Sequence, residues 1–329
     1  MRFDGFVGHP DIQAQVSAFA DAGRFPHALL IEGAKGSGRR TLARLIARCA
    51  VCTGDGEHPC GICPGCQKAL RGVHPDISEY GGDGTARSFH LETVLALRDE
   101  AYLLPNEAPR RVYILAEAQA MTERAQNALL KILEEPPSYV LFLLTCENRT
   151  QLLSTIRSRT AVLTLGSTAP ADALPYLKAQ LPEVPEADLE KALAVCGGSI
   201  GQTLSSLQDG AYRDTLARVQ AVTDALLDPL ELPLLKETAA LAEDKAVIEP
   251  LFSALILVFR DALAIRTGAK SRLSPAPDAA ARLADRLSAA RLCRLIDVTE
   301  ALRDDRLRNM NLTLLLTRMC SRMREAIGH

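Results

Sequence analysis

Residues 33–41, Gly-Ala-Lys-Gly-Ser-Gly-Arg-Arg-Thr, have the glycine spacing of a phosphate-binding loop without its side-chain chemistry. A short apolar run, Ala28 to Ile31, leads into the loop and a helical pattern follows it, which is the strand–loop–helix context such a loop requires. The glycine frame is Gly33, Gly36 and Gly38, but the positions for lysine and for a serine or threonine hydroxyl hold Arg39 and Arg40. Thr41 offers a hydroxyl one residue late. One residue along a helix is about 100° of rotation, so Thr41 is expected to point away from a magnesium ion. Arg39 keeps the charge but exchanges a compact ammonium for a broad planar fork. The second half of the site is also depleted. The apolar strand Arg111–Leu115 ends in Ala116-Glu117, where a P-loop ATPase needs one carboxylate for magnesium and one for water. These defects predict that ATP and Mg2+ are not bound productively, although loop amides and a helix N-terminus still attract phosphate.

Cys60-Gly-Ile-Cys63-Pro-Gly-Cys66 places three thiols at repeated spacing in a Gly/Pro-rich loop. A tetrahedral metal needs a fourth ligand, from Cys52 or Cys49. Leu42, Leu45, Ile46 and Cys49 fall on one helix face, so Cys49 is expected in the core and Cys52 at the metal. His58 is the competing donor. An iron–sulfur centre fits less well, because the bacterial ferredoxin run would put its fourth cysteine where Leu70 stands. The expected cofactor is a structural Zn2+ held by Cys52, Cys60, Cys63 and Cys66, with no ligand to spare for catalysis. Cys146, Cys196, Cys293 and Cys320 are isolated in sequence and expected to be packed.

The elements that must position these residues follow from patterning. Residues 1–166 alternate short apolar strands (Ala28–Ile31, Val112–Leu115, Tyr139–Thr145, Ala161–Leu165) with helical stretches, which argues for an α/β domain with a parallel sheet. In Thr122–Pro137, the residues Ala125, Ala128, Leu129, Ile132 and Leu133 recur at helical spacing and Pro136-Pro137 stops the helix. Residues 167–209 read as a small helical domain and 210–329 as an all-α domain with long amphipathic tracts, broken by an exposed loop at 271–280. With 329 residues, a net charge of −2 and 4% aromatics including no Trp, the chain is suited neither to polyanion binding as a whole nor to base stacking on single strands. No apolar run reaches membrane-spanning length and the N-terminal Met-Arg-Phe-Asp stretch has no apolar signal core. A cytoplasmic protein is expected, with no membrane partner.

Taken in order, FDGFVGHPD, HALLIEG, CGICPGC, NEAPRRVYIL, NALLKILEEPP and Ser158-Arg159 resemble the bacterial clamp-loader branch of the AAA+ proteins, and NMNLTLLLTRM (309–319) resembles that family's last collar helix. The resemblance implies an AAA+ P-loop domain with the zinc module at 49–66, a helical lid at 167–209 and a collar at 210–329. It also implies work within the DNA polymerase III clamp loader. Three positions bear on the subunit type: Arg39-Arg40 in the loop, Ala116 at the strand end, and Gly198-Ser199-Ile200-Gly201, where the family's ATPase carries a phosphate-sensing arginine. The losses match the non-hydrolysing stator type of subunit; the alternative is a divergent gamma/tau-type ATPase. The implied partners are gamma/tau ATPase subunits and a delta subunit in a heteropentamer, with the sliding clamp and primer-template DNA reached through the complex. A third reading, a zinc ribbon binding nucleic acid by itself, is disfavoured because the sequence around Cys60–Cys66 is only mildly basic. The family's Ser-Arg-Cys appears here as Ser158-Arg159-Thr160, which implies that Arg159 acts in trans on a neighbouring subunit's ATP while Arg157 is structural.

Overall fold

The computed structural model describes residues 1–81, 89, 91–244, 246–269, 273–307 and 310–328. The chain divides into two compact units, Met1–Thr168 and Ala169–His329.

The first unit is built on five strands: β1 (Ala28–Gly33), β2 (Ile77–Gly81), β3 (Arg111–Ala116), β4 (Val140–Cys146) and β5 (Ala161–Leu165). Their order across the sheet is β2-β3-β4-β1-β5 and every pairing is parallel. All strands therefore start at one end of the sheet and finish at the other. α1 (Pro10–Asp21) precedes β1, and between the strands run α2 (Arg39–Ala50), α3 (Pro64–Leu70), α4 (Leu91–Glu100), α5 (Glu123–Glu134) and the short α6 (Ser154–Arg157). The central strands are apolar on both faces because helices cover both. Leu29, Ile31, Ile114 and Leu143 pack on one face with Leu42 and Ile46 of α2. Leu30, Tyr113, Phe142 and Leu144 pack on the other with Leu97 of α4 and Leu129 and Ile132 of α5. The four strands read from sequence are present. β2 escaped that reading because Ile-Ser-Glu-Tyr-Gly is a mixed, short edge strand. α5 begins where Thr122 accepts a hydrogen bond from the Ala125 N–H at 3.3 Å and ends just before Pro136-Pro137.

The second unit is helical throughout its described residues: α7 (Pro170–Gln180), α8 (Glu186–Val195), α9 (Ile200–Gln208), α10 (Ala211–Leu227), α11 (Glu231–Ala240), α12 (Ile248–Thr267), α13 (Pro277–Arg286), α14 (Ala289–Leu307) and α15 (Leu312–Ile327). α7 and α8 share a small core of Ala173, Leu177, Leu181, Leu189 and Leu193. A larger core surrounds α12, whose Leu251, Phe252, Leu255, Val258 and Phe259 are fully buried. The amphipathic tracts are not continuous. One breaks between α11 and α12, the other at Leu287-Ser288, where extended backbone separates α13 from α14. The loop expected at 271–280 is shorter than read, since α13 starts at Pro277; Arg272 and Ser271 lie outside the described residues. Ser274 is buried, its N–H donating to Asp261 at 2.8 Å, while Leu273, Pro277 and Asp278 are exposed, so the described part of this stretch is exposed in part but anchored at Ser274. In the 309–319 motif Asn311 caps α15, accepting from Leu314 N–H at 3.2 Å, and Asn309 lies outside the described residues. Among the described residues no helix is long and apolar enough to cross a membrane.

Candidate functional site

The phosphate loop joins β1 to α2 and has the expected backbone. A Cβ on Gly33 would stand 2.7 Å from Ser37 Oγ and 2.8 Å from the Leu165 carbonyl, so no other residue fits there. Gly36 and Gly38 lie at φ 75° and 91°, conformations that favour glycine. The side chains that follow are turned into the protein's own charges. Arg39 is 7% exposed, its Nη2 3.6 Å from Glu147 beyond β4, and its buried Nη1 has no hydrogen-bond partner among the described residues. Arg40 pairs with Glu79 on β2. Arg44, one turn later, reaches the same carboxylate with Nε at 3.0 Å and Nη2 at 3.2 Å. Thr41 faces solvent. At the end of β3 Ala116 is buried, and Glu117 adopts left-handed backbone at φ 57°, its N–H donating to Thr145 Oγ1 at 3.0 Å. Left-handed backbone in a non-glycine residue is uncommon. Loop, α2 and strand end are thus adjacent, but Arg39 and Arg40 are each matched to a carboxylate of this chain.

The four predicted thiols come together. Cys52 follows the end of α2, Cys60 lies in the loop, Cys63 caps α3 and Cys66 sits in its first turn. Their sulfur atoms lie within 4.8 Å of one another, with Cys52–Cys63 at 3.9 Å and Cys60–Cys66 at 4.0 Å. A tetrahedron with metal–sulfur bonds of ~2.3 Å has edges of ~3.8 Å, so the set fits a thiolate-bound ion such as zinc. Backbone N–H groups of Cys60, Cys63 and Cys66 each point at the preceding ligand's sulfur at 3.4 Å. Burial pushes the Cys63 thiol up, but the backbone donors of Cys66 and Thr53, together with the Cys66 and Cys60 side chains, outweigh it and bring it down to about 5, favouring the thiolate. Gly54 leaves room for the sulfur, since a Cβ there would meet Cys60 Sγ at 2.6 Å. Cys49 is buried on α2, and burial raises its pKa to about 11. His58 is not a member of the sulfur set; its Nδ1 lies 3.2 Å from Cys52 Sγ.

Arg159 occupies the short connection between α6 and β5. Its Nη2 is 2.6 Å from Glu134 at the end of α5, and its Nη1 donates to the Thr155 carbonyl at 2.9 Å and to Ser158 Oγ at 3.3 Å. Parallel pairing runs from Leu29 beside Ala161 to Gly33 beside Leu165. Arg159 precedes β5 and the phosphate loop follows β1, so they stand at opposite ends of the sheet, roughly 13 Å or more apart at ~3.3 Å per residue. Arg159 is remote from its own chain's loop. Arg157 has a buried Nε without a partner among the described residues.

A sequence model of the family described as DNA polymerase III, delta subunit, matches residues 8–169. The Yersinia pestis protein named DNA polymerase III subunit delta' is 30% identical over 274 residues, covering 69% of this chain and 81% of that protein. The chain belongs to the DNA polymerase III clamp-loader family. The Mycobacterium tuberculosis DNA polymerase III subunit gamma/tau is 36% identical over 166 residues, 48% of this chain. The chain spans only about a quarter, 27%, of that protein's length. Among solved structures, a gamma subunit-related protein of Thermotoga maritima is 17% identical with a TM-score of 0.42, covering 95% of this chain and 99% of that one.

Some residues that organise this clamp-loader chain were not evident from sequence. Asp76, fully buried before β2, accepts from the backbone N–H groups of Asn106, Glu107 and Ala108 at 2.6, 2.9 and 2.9 Å, and from Asn106 Nδ2 at 3.0 Å. Burial raises its pKa, but these donors outweigh that and hold the carboxyl below the usual range. The NEAP segment (106–109) is therefore a carboxylate cradle. Gln126 of α5 is likewise buried, its Oε1 accepting the Leu153 N–H at 2.9 Å. Glu79 was hidden in the unrecognised strand β2. In the second unit Ser199 caps α9 by accepting the Gln202 N–H at 3.3 Å, and Gly201 in that helix's first turn offers no side chain to sense a phosphate.

Proposed function

We propose that this chain is a delta-prime-type stator of the DNA polymerase III clamp loader: a subunit that does not hydrolyse ATP itself and presents Arg159 to a neighbouring ATPase subunit. The observation that carries the reading is the internal neutralisation of the loop. Arg39 is committed toward Glu147 and Arg40 to Glu79, at the two positions from which an ATPase offers a lysine to phosphate and a hydroxyl to magnesium. Ala116 removes the strand-end ligand. Arg159 sits where only another molecule's phosphate could meet it, and a fork supplied in trans stabilises transition-state charge by about 10³–10⁵ in rate in comparable systems. In this reading Cys52, Cys60, Cys63 and Cys66 hold a structural Zn2+ that folds the segment between α2 and α3. α7–α9 form the lid and α10–α15 the collar through which gamma/tau and delta subunits assemble, with sliding clamp and primed DNA engaged by the complex.

The mycobacterial gamma/tau similarity favours a second reading, a divergent ATPase subunit. Phosphate release by the purified chain separates the two. The stator reading expects background turnover and capture of the chain by the cognate gamma/tau subunit. Turnover abolished by Arg39→Ala would overturn it in favour of the ATPase.

A further inference from the structure

We infer that Glu134 is a positioning residue for Arg159, fixing its guanidinium so that the remaining N–H groups are presented to a partner's phosphate. The inference rests on the proposal that Arg159 acts on a neighbouring subunit's nucleotide. An arginine finger carried on a four-residue helix and a short connection would gain little from charge alone, because a long side chain sampling many rotamers is rarely in place. This one is fixed from two sides. α5 holds the segment at Gln126, which accepts the Leu153 N–H at 2.9 Å, and again two turns later at Glu134, 2.6 Å from Arg159 Nη2. The finger's own connection supplies the Thr155 carbonyl and Ser158 Oγ to Nη1.

A guanidinium has five N–H donors. Two, both on Nη1, are directed at Thr155 and Ser158, while Glu134 lies 2.6 Å from Nη2 as an ion pair, which leaves N–H groups of Nε and Nη2 for a phosphate. Glu134 can therefore stay paired while the fork is engaged. The group is also reachable. Arg159 and Glu134 side chains are 34% and 49% exposed, and they border a hollow of about 580 Å3 with Pro26, His27 and Thr160. Those residues all precede strands that start at the same end of the sheet. The hollow is thus part of one face, far from the chain's own loop, against which a neighbour's nucleotide could be brought.

The test uses the clamp loader reconstituted with intact ATPase subunits, measuring kcat and KM of DNA-stimulated ATP turnover together with assembly by gel filtration. Glu134→Ala is expected to lower kcat on the order of tenfold, within the ~100-fold that a 1 Å misplacement can cost, with KM and assembly unaltered. Glu134→Gln, which keeps an oxygen beside Nη2 but not the charge, should recover only part of that loss. Adding Glu134→Ala to Arg159→Ala should cost nothing further. Unchanged kcat in Glu134→Ala while Arg159→Ala is impaired would overturn the inference and leave the finger intact, the pair then being a surface contact. Additive losses would also overturn it, since Glu134 would then act by another route. Unchanged kcat in Arg159→Ala itself would remove both the finger and its support.

Discussion

Asp76 and Arg39 are charged residues buried for opposite reasons. The Asp76 carboxylate is satisfied by four donors from residues 106–108, so removing it leaves those donors facing a hole. Asp76→Ala is expected to destabilise the first unit by on the order of 3–5 kcal/mol in denaturant unfolding, and Asp76→Asn by less. The pH dependence has a definite sign. A carboxyl held below its ordinary pKa stabilises the fold above the unfolded value near ~4, and the contribution disappears as pH falls through the folded value. The stability gap between wild type and Asp76→Asn should therefore be full at neutral pH and close in acid; a gap constant down to pH ~2 would contradict the assignment. Arg39 instead keeps an Nη1 without a partner among the described residues. Its identity was plain in the sequence, but its destination was not, because Glu147 lies on another strand's exit. Long-range partners of this kind have no local signal. The same holds for Glu79, which collects both Arg40 and Arg44.

At the scale of elements, the phosphate loop, α5 and the cysteine module were legible because each depends on local spacing: glycines at fixed intervals, apolar residues at helical period, thiols three apart. The helix-face argument that set Cys49 apart from Cys52 agrees with where the two side chains lie. What escaped was β2, whose polar edge gives no apolar run, and the breaks within the long helical tracts, where Leu287-Ser288 carries no proline or glycine. The module makes two predictions. Cys52→Ala should lose stoichiometric metal by elemental analysis while Cys49→Ala keeps it; the reverse pattern would sink the ligand assignment. Gly54→Ala should weaken metal retention against a chelator, because its methyl would stand 2.6 Å from Cys60 Sγ, a sulfur that a bound ion would hold in place. Stripping the metal should lower the thermal midpoint while the sheet core, which does not depend on the module, keeps its far-ultraviolet signature.

For the molecule as a whole, the α/β unit followed by helices could be read from the alternation of patterns, whereas sheet order, and with it the separation of Arg159 from the phosphate loop, could not. That separation gives the clamp-loader reading its physical content. One end of the sheet carries a phosphate loop followed by Arg39 and Arg40, each paired with a carboxylate of this chain, and the other carries a half-exposed Arg159 beside Glu134. A stator built this way should contribute to turnover only in company. The most direct measurement is DNA-stimulated ATP turnover by the complex reconstituted with intact ATPase subunits and Arg159→Ala in this chain. The account predicts that turnover and clamp loading both fall, by tenfold or more given the ~10³–10⁵ that a finger contributes at a single site, while the complex still assembles. Rates equal to those of the unmodified complex would contradict it.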